Sequence, residues 1–228
     1  MVNSYTMRFT CAILAGGMSK RMGRDKATLS VGGKALIARV YDEVKDIFDE
    51  IFIMSSHHKS IAGADAPILK DIIPIQSPIV GIVSALLYAR NPYVFVLACD
   101  VPFITRRSVE FILSQARGED LIIPKTKGGY EPLYALYNKS CIPPMFRLIE
   151  RGRLKVGQVF PYLTMKVLPG DHPCFTDNGH SVFLNVNAVE DLANLRIGGG
   201  EGFVKDDTSC TWKREDEADP LKKTAYQG

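Results

Sequence analysis

A chain of 228 residues, 46% hydrophobic and 23% charged, is long enough for one α/β domain with a substantial core, which excludes a disordered protein or a coiled coil. The formal charge of +3 is too small to imply a nucleic-acid partner, and the basic residues are dispersed apart from an N-terminal loop and Arg147, Arg151, Arg153 and Lys155. Five scattered cysteines without zinc spacing, no membrane-length apolar run and no signal-peptide core lead to the expectation of a reduced, cytoplasmic chain with no membrane partner.

The first element is the apolar run Phe9 to Leu14, which stops at Ala15-Gly16-Gly17. Arg21, Arg24 and Lys26 then surround a third glycine, Gly23. Glycines let backbone N–H groups approach a polyphosphate, and Arg and Lys supply its counter-charge. The spacing matches neither a P-loop nor a dinucleotide-binding fingerprint. A solvated strand-to-helix connection is the plainer alternative.

Apolar residues at helical spacing from Leu36 to Phe48 predict an amphipathic helix, followed by strands at Ile51 to Met54 and, more weakly, Pro67 to Lys70, ending at Asp71. Pro74 and Pro78 interrupt the next segment, and a helix is expected over Gly81 to Arg90. Tyr93 to Ala98 reads as a central strand buried on both faces. It delivers Asp100 to the carboxyl edge of the sheet, where ligands of open α/β sheets bind. Asp100 could instead form a turn, but Thr105 is the better cap for the helix running to Ala116.

Strands at Leu121 to Pro124 and Glu131 to Tyr137, joined by a polar Gly-Gly loop, suggest an antiparallel excursion. A helix over Pro143 to Glu150, strands at Met165 to Leu168 and Val182 to Asn185, and a closing helix from Ala188 to Arg196 complete the pattern. The domain is expected to span residues 1–196, with residues 197–228 a flexible tail. Alternating strands and helices imply an α/β, Rossmann-like three-layer sandwich with a mostly parallel sheet.

His57 and His58, adjacent on the chain, read as loop residues, and His172 and His180 lack ligand spacing. Cys99 reads as a small buried neighbour of Asp100. Arg151 and Arg153 stand equally as substrate contacts or as solvated helix-end residues.

The motif from Leu14 to Lys26, then Asp71, Ser77 to Gly81, Ala98 to Phe103, Glu131 to Ala135 and Phe183 to Asn187, resembles in that order the MobA family, the molybdenum cofactor guanylyltransferases of the nucleotidyltransferase superfamily. The resemblance covers about residues 8–196 and implies a fold like that of nucleotide-diphospho-sugar transferases. It implies transfer of GMP from Mg-GTP to the phosphate of molybdopterin cofactor, with pyrophosphate released. GTP and molybdopterin would be the substrates, Mg2+ the cofactor, and molybdoenzyme-maturation proteins further partners.

By position, Leu14, Ala15, Gly16, Gly17, Ser19, Asp71 and Gly81 would hold the nucleotide, and Arg21 and Lys26 its phosphates. Asp100 would hold the metal. Arg153, Asn185 and Asn187 would handle the pterin substrate or complete the metal site. One departure is Met54, followed by Ser55 and Ser56, where the family often places an Asn. Gly17 favours the guanylyl branch over a relative that uses CTP or activates a sugar or polyol phosphate. A non-catalytic nucleotide-binding protein is the remaining alternative.

Overall fold

The computed structural model describes residues 7–15, 30–31, 34–58, 60–101, 103–177 and 179–184. In chain order the strands and α-helices are β1 (Phe9–Leu14), β2 (Ser30–Val31), β3 (Lys34–Ala35), α1 (Leu36–Val44), β4 (Glu50–Met54), β5 (Ile68–Leu69), α2 (Pro78–Tyr88) and β6 (Tyr93–Ala98). They continue as α3 (Arg106–Ser114), β7 (Leu121–Thr126), β8 (Gly129–Tyr130), β9 (Tyr134–Asn138), α4 (Ile142–Glu150), β10 (Met165–Pro169), β11 (Thr176–Asp177) and β12 (His180–Ser181).

The main sheet runs β10-β7-β9-β6-β1-β4-β5, with β8 paired to β7. Every pairing along it is parallel except where β9 meets β6 and β7 and where β8 meets β7. The expected antiparallel excursion is therefore β8 and β9, inserted into an otherwise parallel sheet.

Period-two alternation divides the core into two apolar layers. Cys11, Ile13, Phe95, Leu97 and Leu136 face α1 and α3, where Ile37, Val40, Val109 and Ile112 meet them. Ala12, Leu14, Val94, Val96 and Tyr137 face α2 and α4, where Ile79, Val83, Met145 and Leu148 cover them. Helices thus lie on both faces of the sheet, giving the expected three layers. Burial on both faces explains why β1 and β6 are continuous apolar runs.

Local signals set the helix boundaries. Thr105 caps α3 as expected, in a reciprocal capping box with Ser108. Helix α2 begins at Pro78 rather than Gly81, because the Ser77 hydroxyl accepts the Val80 N–H and Pro78 occupies the first turn, where its missing N–H costs nothing. Helix α4 ends in a Schellman motif: Gly152 adopts φ +69°, its N–H meets the Ile149 carbonyl, and the Arg153 N–H meets that of Leu148.

Among the described residues, the strand expected from Val182 does not form. Val182 and Phe183 form a turn, in which the Leu184 N–H bonds to the Ser181 carbonyl and the Val182 N–H to that of Phe175. Their apolar side chains pack against the α1/α3 layer rather than pairing in the sheet. The expected helix from Ala188 to Arg196 and the tail lie outside the described residues.

Candidate active site

The chain builds outward from β1 through β4 to β5, then returns to place β6 on the other side of β1. This reversal opens a crevice at the carboxyl ends of β1 and β6, where Leu14 lies opposite Ala98. Backbone bonds tie the edge together. The Ala15 N–H meets the Met54 carbonyl at 2.9 Å, the Cys99 N–H the Leu14 carbonyl at 3.2 Å, and the Ser55 N–H the Leu69 carbonyl at 2.8 Å.

On one side of the crevice, Leu14, Asp71 and Gly81 converge. A Cβ placed on Gly81 would sit 3.4 Å from Leu14 Cδ1 and 3.8 Å from Asp71 Oδ1, so a glycine in the first turn of α2 leaves open the space between strand end and carboxylate. Asp71 is half-buried just beyond β5, and burial raises its pKa above the usual carboxylate range. The next residue is fixed by the Ile72 N–H bond to the buried Ser84 hydroxyl at 3.0 Å.

Asp100 stands two residues beyond β6, half-buried beside buried Cys99. On its other side is a cavity of about 220 Å³ lined by Asp100, Glu131, Pro132, Leu133, Tyr134 and Phe183, among others. Tyr134 is held by a hydrogen bond between its hydroxyl and that of Ser108 and by an edge-on contact with Phe95 at 5.4 Å. Phe183 packs edge-on to Tyr134 at 5.3 Å and against Phe175 at 4.9 Å. The turn that replaced the expected strand therefore delivers an aromatic wall.

Glu131 begins the return into β9. Its Oε1 accepts the Thr126 hydroxyl at 3.0 Å, and that hydroxyl accepts the Gly128 N–H at 3.1 Å. Burial raises the Glu131 pKa, and the Thr126 bond opposes the rise.

The remaining expected site residues divide in two. Arg153 is exposed at the C-terminal end of α4 and does not line the cavity. Gly16, Gly17, Ser19, Arg21, Lys26, Asn185 and Asn187 lie outside the described residues. Met54 is buried in the α2/α4 layer beside its register partner Leu14, and the next residue, Ser55, is also buried. The Ser55 hydroxyl accepts the backbone N–H groups of His57 and His58 at 3.3 Å and bonds His58 Nδ1 at 2.9 Å, so these histidines close a turn. Glu131 lies within a motif of the family resemblance but has no role assigned to it from the sequence. Its signal was a carboxylate between a Gly-Gly turn and Pro132.

Among the described residues no three or more His, Cys, Asp or Glu side chains gather into a metal cluster. A divalent ion at Asp100 would have this one carboxylate as a hard oxygen ligand, with phosphate oxygens and water able to complete its shell. That suits a hard cation bound through one carboxylate together with a nucleotide, so the residues present fit such an ion.

Residues 11–160 match the MobA-like NTP transferase domain. The molybdenum cofactor guanylyltransferase of Desulfosudis oleivorans is 31% identical over 185 residues, covering 80% of this chain and 92% of that protein. The structure of molybdopterin-guanine dinucleotide biosynthesis protein A from Archaeoglobus fulgidus superposes with a TM-score of 0.70 at 26% identity, covering 81% of this chain and 95% of that one. The 2-C-methyl-D-erythritol 4-phosphate cytidylyltransferase of Thermus thermophilus, at 16% identity and a TM-score of 0.63, covers 84% of this chain and 98% of its own and shares the fold. The chain belongs to the MobA-like NTP transferase family, and its fold is that of the nucleotidyltransferases.

Proposed function

We propose that this protein transfers GMP from GTP to the terminal phosphate of molybdopterin cofactor, forming the guanine dinucleotide cofactor and releasing pyrophosphate. The observation that carries the reading is the convergence of Leu14, Asp71 and Gly81 on one side of the crevice with Asp100 at its centre, in a chain of this family. Relatives named molybdenum cofactor guanylyltransferase point to the same donor and acceptor.

A phosphate oxygen of the acceptor attacks the α-phosphorus of GTP as the bond from that phosphorus to the bridging β-phosphate oxygen breaks. The nucleophile is already ionised near neutral pH, so alignment and charge compensation matter more than a strong base. Leu14, Ala15, Gly16, Gly17, Ser19 and Gly81 hold the nucleotide, and Asp71 accepts hydrogen bonds from its guanine. Arg21 and Lys26 stabilise charge on the leaving pyrophosphate. Asp100 would hold a magnesium ion, which would supply charge neutralisation for the triphosphate. Arg153, Asn185 and Asn187 handle the pterin substrate or complete the metal site. Among the described residues no helix is long and apolar enough to cross a membrane. The reading places the reaction in the cytoplasm, with molybdoenzyme-maturation proteins receiving the product.

The test is pyrophosphate release with molybdopterin and each of the four nucleoside triphosphates. Release with GTP alone is expected, and a preference for CTP would overturn the assignment of the donor. Asp100→Asn should abolish turnover, by at least about a thousandfold, in a protein that still melts cooperatively. Full activity in that variant would refute the metal-holding role.

A further inference from the structure

Two half-buried carboxylates stand on opposite sides of Asp100. Asp71, beyond β5, reaches the Leu14 end of β1 beside α2, and Glu131 leads into β9 and shares a cavity with Asp100. The two substrates assigned above share a chemical feature as well. Guanine and a pterin both present a 2-amino-4-oxopyrimidine edge, whose adjacent ring N–H and amino N–H are donors that a carboxylate can accept side by side.

We propose that Glu131 recognises the acceptor by taking hydrogen bonds from the 2-amino-4-oxopyrimidine edge of a pterin in the cavity between β6 and β9. The inference rests on the guanylyltransferase reading and adds to it a specificity-determining residue. Three observations carry it.

The first is chemical sign. A carboxylate repels phosphate, so the Glu131 end of the cavity cannot take the anionic end of the acceptor and calls for a donor edge. The phosphate belongs toward Asp100, where a bound cation would compensate its charge.

The second is shape. A space of about 220 Å³ between Pro132, Leu133, Tyr134 and Phe183 suits one flat heterocycle rather than a whole nucleotide. Tyr134 and Phe183 are themselves fixed by aromatic packing and by the Ser108 hydroxyl, so the walls are organised before the ring enters.

The third is the orientation of the carboxylate. Thr126 holds Oε1, and Oε2 has no hydrogen-bond partner among the described residues. The Glu131 N–H is in turn tied to the Pro124 carbonyl at 3.0 Å, and the Glu131 carbonyl accepts the Tyr134 N–H at 3.0 Å. A carboxylate fixed at its backbone and at one oxygen loses little freedom on binding.

The experiment titrates the full chain with pterin and, separately, with lumazine, in which a carbonyl replaces the 2-amino donor, following ligand fluorescence. Pterin should bind at least about tenfold more tightly than lumazine, the discrimination expected when a donor to a charged acceptor is lost. In Glu131→Gln the two should come within about twofold, because the amide no longer offers two acceptor oxygens. Thr126→Val, which frees the carboxylate, should retain a preference reduced several-fold. Equal binding of both ligands by the wild type, no binding of pterin, or an undiminished preference in Glu131→Gln would overturn the proposal. Absence of pyrophosphate release from GTP and molybdopterin by the wild type would instead overturn the guanylyltransferase reading, and since ligand binding needs no turnover, the two failures are separable.

Discussion

The two sides of the crevice use the same device, a half-buried carboxylate, and build it differently. Beside α2, Asp71 owes its setting to packing: the helix lies close on β1, and space remains because position 81 carries no side chain. Beside β9, Glu131 owes its setting to hydrogen bonds, with Thr126 and the Gly128-Gly129 turn fixing the carboxylate at the rim of an aromatic cavity. One side is specified by what is missing and the other by what is attached. Changes to donor and to acceptor recognition should therefore separate cleanly.

The largest effect expected of that separation follows Asp71→Asn. Losing a charged acceptor for guanine should lower kcat/KM for GTP by roughly 30- to 100-fold, about 2–3 kcal/mol, while KM for molybdopterin stays within twofold. Steady-state kinetics with each substrate varied in turn provides the measurement. A parallel loss for both substrates would show that the two sides are one coupled site, and the comparison would break.

A smaller effect is expected from Gly81→Ala. The added Cβ would meet Leu14 and Asp71 at ordinary contact distances, so the protein should fold, and alanine in place of glycine within a helix contributes about 0.5–1 kcal/mol. The same methyl occupies the space assigned to the nucleotide. KM for GTP should rise about tenfold while the melting temperature holds or increases. An unchanged KM would remove Gly81 from the nucleotide site.

The two sides were also unequally legible in the sequence. Strands β1 and β6 announced themselves as apolar runs because each is buried on both faces, and Asp100 followed from its place beyond β6. The Thr105 cap could be read from residue type and position alone, since it depends only on neighbours along the chain. Asp71 and Gly81 were found by resemblance to the family, and what brings them together is the packing of α2 against β1, which no local pattern encodes. Pro78 reads as a breaker when taken by itself, although a serine followed by proline is a local helix-start signal of the same kind as the Thr105 cap. Phe183 was expected in a strand, and its aromatic contacts outweighed its β propensity. Glu131 had no visible role until the antiparallel return of β9 carried it to the end of β6. Position in the sheet, rather than motif, brings it beside Asp100.

The smallest effect is on stability, and it would sharpen the comparison through pH. Burial raises both carboxyls above their ordinary values of 3.8 for Asp and 4.5 for Glu, and at Glu131 the Thr126 bond opposes the shift. A raised folded-state pKa means that the native protein binds its proton more tightly than the unfolded chain does. Each group therefore favours folding least once pH exceeds its folded pKa, and its penalty is relieved as pH falls toward the ordinary value. Asp71→Asn and Glu131→Gln, which remove the buried charge, should each raise the melting temperature slightly at pH 7. The gain should disappear below the ordinary carboxylate values, where the wild-type side chains are protonated in both states. It should be smaller for Glu131, whose charged form already gains the Thr126 hydroxyl. Thermal melts from about pH 3 to pH 8 decide the matter. A gain that persists unchanged at the acid end would mean that shape, rather than charge, distinguishes the variants. A larger gain at Glu131 than at Asp71 would reverse the contrast between a carboxylate confined by packing and one held by hydrogen bonds.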